Sequence, residues 1–229
     1  MPAPVAVALP DGSTVTLNSG SALRRTRGFG RMGSAREVRL VGEAYFSVAR
    51  SRAPFVVRTA GARVTVLGTR FGVRTWGEDG GREDGAREDG GREDGGREGA
   101  TVVALLSGRV VLAPEGDAGA AVVLAPGEVG RIARGAPVAV RGGVEEALAW
   151  RAGDLVYKDR PLAVVLGDVE RRFGVVVVAD AALGRRRVSV ALRRPASAEA
   201  VVRDLATAFG LRYSRRADGF ELHAAGVAL

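Results

Sequence analysis

From Val5 to about Ile132, apolar residues recur at every second position in short runs, and nearly every run stops at glycine or proline. Val5, Val7 and Leu9 alternate before the Pro10-Asp11-Gly12 turn, and Val15 and Leu17 alternate after it. Ala44, Phe46 and Val48 mark one face of a later run. Val64 and Val66, Phe71 and Val73, Val103 and Leu105, Val110 and Leu112, and Val122 and Leu124 repeat the pattern. Successive side chains of a strand point to opposite faces, so a period of two marks a half-buried strand. Each run has the length of a strand, and short joints favour hairpins over crossovers that need a helix between strands. The pattern predicts an antiparallel β-sandwich or jelly-roll-like domain over residues 1–142.

The period changes near the Gly142-Gly143 break. Residues 143–153, with Glu145, Glu146 and Trp150, read as a linker. Asp154 to Tyr157 then reads as a strand, and Pro161 opens a helix that places Leu162, Val165, Leu166, Val169 and Phe173 on one face before Gly174 stops it. Val175 to Ala179 and Val188 to Leu192 read as strands. Ser197 is the expected N-cap of a second helix carrying Val201, Val202, Leu205, Ala208 and Phe209, again closed by glycine at Gly210. Leu211 to Tyr213 and Phe220 to Leu222 finish the chain as strands. Residues 154–229 are thus expected to form a small βαββαββ domain, with both helices on one face of one sheet, and the fold class is multi-domain, β followed by α+β.

One segment interrupts the β pattern. Gly80-Gly81-Arg82-Glu83-Asp84 recurs with small changes through Gly99, and residues 77–99 hold nine carboxylates, four arginines and no large apolar side chain. With nothing to bury, such a segment cannot offset the entropy of ordering, and a disordered acidic insertion between two strands is expected. Calcium-binding repeats use a longer period with an inward apolar residue, and neither is present.

Several chemistries fall away on composition. Cysteine is absent and His223 is the single histidine, which removes thiolate and histidine-rich metal sites and cysteine nucleophiles. The net charge of +8 invites a nucleic-acid reading, yet the arginines are scattered along strands. The dense clusters Arg185-Arg186-Arg187 and Arg193-Arg194 have no interleaved aromatics to stack bases, so a solvated basic face is the better reading. The opening Met1-Pro2-Ala3-Pro4-Val5 lacks the features of a signal peptide, and the richest apolar stretch, Val175 to Ala179, is far too short to span a bilayer.

Individual candidates are few. Glu43 and Tyr45 alternate with Ala44 and Phe46 and read as solvent-facing strand residues. His223 reads as structural or exposed. Gly28-Phe29-Gly30-Arg31-Met32-Gly33 lacks the flanking strand and helix of a phosphate loop and, with Arg24, Arg25 and Arg27, reads as a basic loop.

Seven blocks stand in a characteristic order: Leu9-Pro10-Asp11-Gly12-Ser13, Val15-Thr16-Leu17-Asn18, Val41 to Val48, Pro54-Phe55-Val56-Val57, Val66-Leu67-Gly68-Thr69-Arg70-Phe71-Gly72-Val73, Leu106-Ser107-Gly108-Arg109-Val110 and Leu124-Ala125-Pro126-Gly127. The succession resembles the periplasmic half of FecR-type anti-sigma regulators, and the second domain resembles the short N-terminal domain shared by secretins and TonB-dependent transducers. The resemblance implies a periplasmic signal relay without enzymatic activity or cofactor. Its partner would be the signalling domain of a TonB-dependent outer-membrane transducer. A sigma factor would be reached through an N-terminal helical region and a membrane span, neither of which is in this chain. Some FecR-type proteins cut themselves at a Gly-Thr bond of this motif, which makes Gly68 and Thr69 the one candidate catalytic pair. The structural alternative is a strand glycine that allows close packing. Two other functions remain open: a carbohydrate or polymer-binding β-module, for which Trp76 and Trp150 are the main aromatic candidates, and a basic nucleic-acid binder.

Overall fold

Period-two runs become strands in the computed structural model, which describes residues 4–31, 35–75, 100–116, 120–132 and 136–225. The described residues divide into two units, one ending at Leu148 and one beginning at Ala149. The acidic repeat 77–99, expected to be disordered, and Trp76 lie outside the described residues.

In the first unit the strands are β1 (Val5–Ala8), β2 (Thr14–Leu17), β3 (Ala22–Arg25), β4 (Arg36–Val41), β5 (Glu43–Ser47), β6 (Phe55–Arg58), β7 (Ala62–Val66), β8 (Arg70–Arg74), β9 (Thr101–Ser107), β10 (Val110–Pro114), β11 (Val122–Leu124), β12 (Glu128–Ile132) and β13 (Val138–Arg141). They form a seven-stranded sheet in the order β1-β2-β5-β8-β9-β12-β13 and a six-stranded sheet in the order β11-β10-β7-β6-β4-β3. The inward positions of both sheets make one apolar core. Phe46, Phe55 and Phe71 lie fully buried in it, Phe46 stacked on Phe71 at 5.1 Å and edge-on to Phe55 at 6.1 Å.

Three features depart from the hairpin expectation. β4 pairs in parallel with β6, because β5 between them in sequence belongs to the other sheet. β3 is a strand where a basic loop was expected. It is an edge, with only Leu23 packed against the core, so its apolar signal is weak. Residues 144–148, expected as linker, form helix α1 (Val144–Leu148), whose Val144, Ala147 and Leu148 pack with Ala104 and Val129 on the outer face of the seven-stranded sheet. Gly72 makes room there, since a Cβ at that position would lie 2.6 Å from Leu148 Cδ2.

The second unit opens with a 3-10 turn (Ala149–Ala152) and continues through β14 (Leu155–Pro161), α2 (Leu162–Phe173), β15 (Val176–Ala179), α3 (Ala181–Arg185), β16 (Arg187–Leu192), α4 (Ala198–Phe209), β17 (Leu211–Arg216) and β18 (Gly219–Ala224). Both long helices end as read from sequence. Gly174 and Gly210 take left-handed conformations at φ 67° and 64°, and the Ser197 side chain accepts from the Ala200 amide. The strands form two small sheets rather than one, β14 with β16 and β15-β18-β17, and β15 runs parallel to β18. In α4 the buried small residues are Ala198 and Ala206, while Ala208 is exposed. The short α3 carries no amphipathic stripe to read. It is held by Asp180, whose side chain accepts from the Leu183 amide.

Candidate functional site

The sandwich core ends at a charge. Arg36 occupies an inward position of β4, in register with Phe55, and is 3% exposed. Burying a guanidinium is costly unless every donor finds a partner. Here Nη1 donates to Asp11 Oδ2 at 2.8 Å and to the Ala49 carbonyl at 2.8 Å. Nε and Nη2 donate to the Ala53 carbonyl at 3.2 and 2.8 Å, and Nη2 also reaches the Leu67 carbonyl at 3.3 Å. The guanidinium carbon lies 5.5 Å from the Phe55 ring centre.

Asp11 is prepared for this contact by its own turn. Gly12 takes φ 82°, which returns the chain so that the Ser13 amide and hydroxyl both donate to the Asp11 carboxylate, at 3.1 and 2.8 Å. Ser13 Oγ in turn accepts from the Ala49 amide at 3.0 Å. Burial by itself raises the carboxyl pKa. The Ser13 hydroxyl and amide and the Arg36 guanidinium outweigh it and hold Asp11 below its ordinary value of 3.8.

Gly68 and Thr69 adjoin this network through Leu67. A Cβ on Gly68 would sit 2.7 Å from Arg50 Cα, so glycine is required by the close approach of two backbones. Thr69 is 4% exposed, and its hydroxyl donates to the Arg109 carbonyl at 3.0 Å while its own carbonyl accepts from the Val48 amide. Gly108, at φ 98°, faces the same pair. A Cβ there would lie 2.7 Å from Thr69 Oγ1 and 3.0 Å from the Gly68 carbonyl oxygen. Arg70 Nε also donates to Ser107 Oγ at 3.0 Å. Several of the ordered sequence blocks therefore lock onto one another at this joint: the Asp11-Ser13 turn, the end of β5, Pro54-Phe55, Leu67-Gly68-Thr69 and Ser107-Gly108-Arg109. The partner of the Thr69 hydroxyl is a neutral carbonyl, which cannot take its proton as a general base.

The other candidates separate. Glu43 and Tyr45 are not solvent-facing: they are 6% and 7% exposed. They lie on the sheet face that α1 partly covers, which the reading of 143–153 as linker left open. Glu43 accepts from Asn18 Nδ2 at 2.7 Å and lies 4.0 Å from Arg74. His223 Nε2 is 3.1 Å from Ser214 Oγ across the β17–β18 pair. Phe29 of the glycine-rich loop packs edge-on to Phe55 at 5.9 Å, so its described part serves the core. Trp150 is 8% exposed and offers no platform to a sugar. In the arginine clusters, Arg186 donates to the Phe209 carbonyl, Arg187 pairs with Asp159 at 2.7 Å, and Arg194 is held by Asp154 and Ala152. Arg36 itself escaped the sequence reading. Its only signal is its place on the inward parity of β4, with Val38 and Leu40.

Among the described residues no cluster of histidine and carboxylate side chains could hold a metal ion. No described helix is long and apolar enough to cross a membrane.

Residues 3–84 match the FecR protein family. The chain is also similar to a candidate anti-sigma factor from Parabacteroides distasonis ATCC 8503, seen in crystal structures at 2.50 and 1.65 Å resolution. Each comparison gives 26% identity and a TM-score of 0.78 over 97% of this chain and 95% of that one. No curated protein matches the chain.

Proposed function

We propose that this chain is the periplasmic, non-catalytic part of a FecR-type anti-sigma regulator and relays a signal by binding the signalling domain of a TonB-dependent outer-membrane transducer. The observation that carries the reading is the agreement of both units, over 97% of the chain, with a candidate anti-sigma factor. Recognition by strand addition is supported by β17, which among the described residues pairs on one side only, with β18. At the opposite edge, β15, the Val177 amide is already taken by Glu170 Oε1 at 2.8 Å, which blunts that edge.

Calorimetric titration of the purified chain with purified signalling domains of transducers from the same genome tests the reading. A one-to-one complex of moderate salt sensitivity is expected. Failure of every such domain to bind overturns it, and steeply salt-dependent binding of duplex DNA in its place favours the nucleic-acid alternative.

Gly68 and Thr69 belong, in this proposal, to a structural joint rather than to a self-cleavage site. Mass spectrometry of the purified protein is expected to show the unbroken chain. A fragment beginning at Thr69 sinks this part of the reading.

A further inference from the structure

The outer face of the six-stranded sheet carries an unusual alignment. Arg24 of β3 pairs with Arg39 of β4, Arg39 with Arg58 of β6, and Arg58 with Arg63 of β7. Cross-strand partners share a face, and the neighbouring positions Val38, Leu40, Val57 and Val64 fill the core, so the four arginines form a row across the outside. Adjacent strands are about 4.8 Å apart, which brings these cations close together. Like charges directly opposite one another destabilise a sheet. Among the described residues only Arg58 of the row is neutralised, by Glu37 at 2.9 Å and by Glu115. For Arg24, Arg39 and Arg63 there is no ion pair among the described residues.

A second row runs beside the first. Glu37, Val56, Thr65, Val111 and Val123 are aligned by the same pairings. Val111 and Val123 are 37% and 54% exposed. A shallow groove of about 390 Å³ lies between the rows, lined by Glu37, Val56, Arg58, Arg63, Val111 and Ala113 among others.

We propose that this face docks an acidic polypeptide segment that also bears aliphatic side chains, its carboxylates meeting Arg24, Arg39 and Arg63 and its apolar residues meeting Val111 and Val123. Charge complementarity selects the acidic class. The valine row selects a polypeptide. The strand residues of this outer face include no aromatic ring on which a sugar or a base could stack. The proposal concerns the first unit and stands apart from strand addition at β17 of the second.

The test is fluorescence anisotropy with the full chain and a labelled peptide alternating glutamate with alanine and valine, alongside polygalacturonate and duplex DNA. The triple variant Arg24→Gln, Arg39→Gln, Arg63→Gln is expected to weaken peptide binding about tenfold or more at low salt. A triple variant losing the same charge elsewhere, Arg185→Gln, Arg193→Gln, Arg212→Gln, should stay within about twofold. Val111→Ser should weaken the valine-containing peptide and leave poly-L-glutamate unaffected. Because the row repels itself, the first triple variant should unfold at an unchanged or higher denaturant concentration, which separates lost binding from lost folding. The proposal is overturned by equal weakening in the two triple variants, by no peptide binding to the unaltered chain, or by tighter binding of polygalacturonate or DNA than of peptide.

Discussion

Replacing Arg36 with methionine is expected to lower the unfolding free energy of the first unit by about 3–5 kcal/mol, the cost typical of breaking a buried ion pair from one side. Methionine refills much of the volume over Phe55, so the loss measures the polar network rather than a cavity. It strands the Asp11 carboxylate, whose side chain is 10% exposed, and removes the donor from the Ala49, Ala53 and Leu67 carbonyls. Arg36→Lys should recover little, because an ammonium cannot serve three directions with the geometry of a planar fork. The double variant Arg36→Met, Asp11→Asn should be more stable than Arg36→Met alone, since it removes the uncompensated charge. Urea denaturation reads all three. A loss under about 1 kcal/mol in Arg36→Met would falsify the claim that this network closes the core.

The same network fixes an acid limb. Asp11 has a folded-state pKa below its ordinary 3.8, so its contribution to stability is full above the unfolded value and is lost as pH falls through the folded one. Asp11→Asn should therefore flatten the decline of stability below about pH 4, although it also lowers stability at neutral pH.

The legibility of the chain follows from how far each element announces its own environment. Strands with one buried face declare it by alternation, as Val64 and Val66 do, and α2 and α4 declare theirs by stripe, cap and closing glycine. The edge strands β3 and β13 are largely exposed and bury no face that would declare them. α1 spans five residues, too few to show a period, and its role exists only through Gly72 and Ala104, distant in sequence. The buried side chains Glu43 and Tyr45 misled, and Arg36 escaped the sequence reading, for a related reason. Polar character predicts exposure, and only tertiary structure supplies the turn, the asparagine and the helix that make their burial tolerable. The arginine row could not be found from spacing either, because β4 and β6 pair in parallel across an intervening strand of the other sheet.

Gly108→Ala is expected to cost about 2–5 kcal/mol, adding a backbone term of about 1–2 to a packing term of about 1–3. Two effects coincide at this position: φ is 98°, and the added methyl meets Thr69 Oγ1 at 2.7 Å and the Gly68 carbonyl oxygen at 3.0 Å. Gly127→Ala separates them, since Gly127 has φ 88° with nothing within 4 Å of the added carbon, and should show the backbone term alone. Combining Gly108→Ala with Thr69→Ala removes the closest clash together with the hydrogen bond to Arg109. The pair should then be less destabilised than the sum of the single variants, and strict additivity would show that the two blocks do not press on each other. Non-additivity has a consequence for the motif. A bond set for cleavage requires Gly68 and Thr69 but gives no reason for glycine at position 108. A joint in which two chain segments meet backbone to backbone requires all three, together with the Gly68 contact at 2.7 Å from Arg50 Cα.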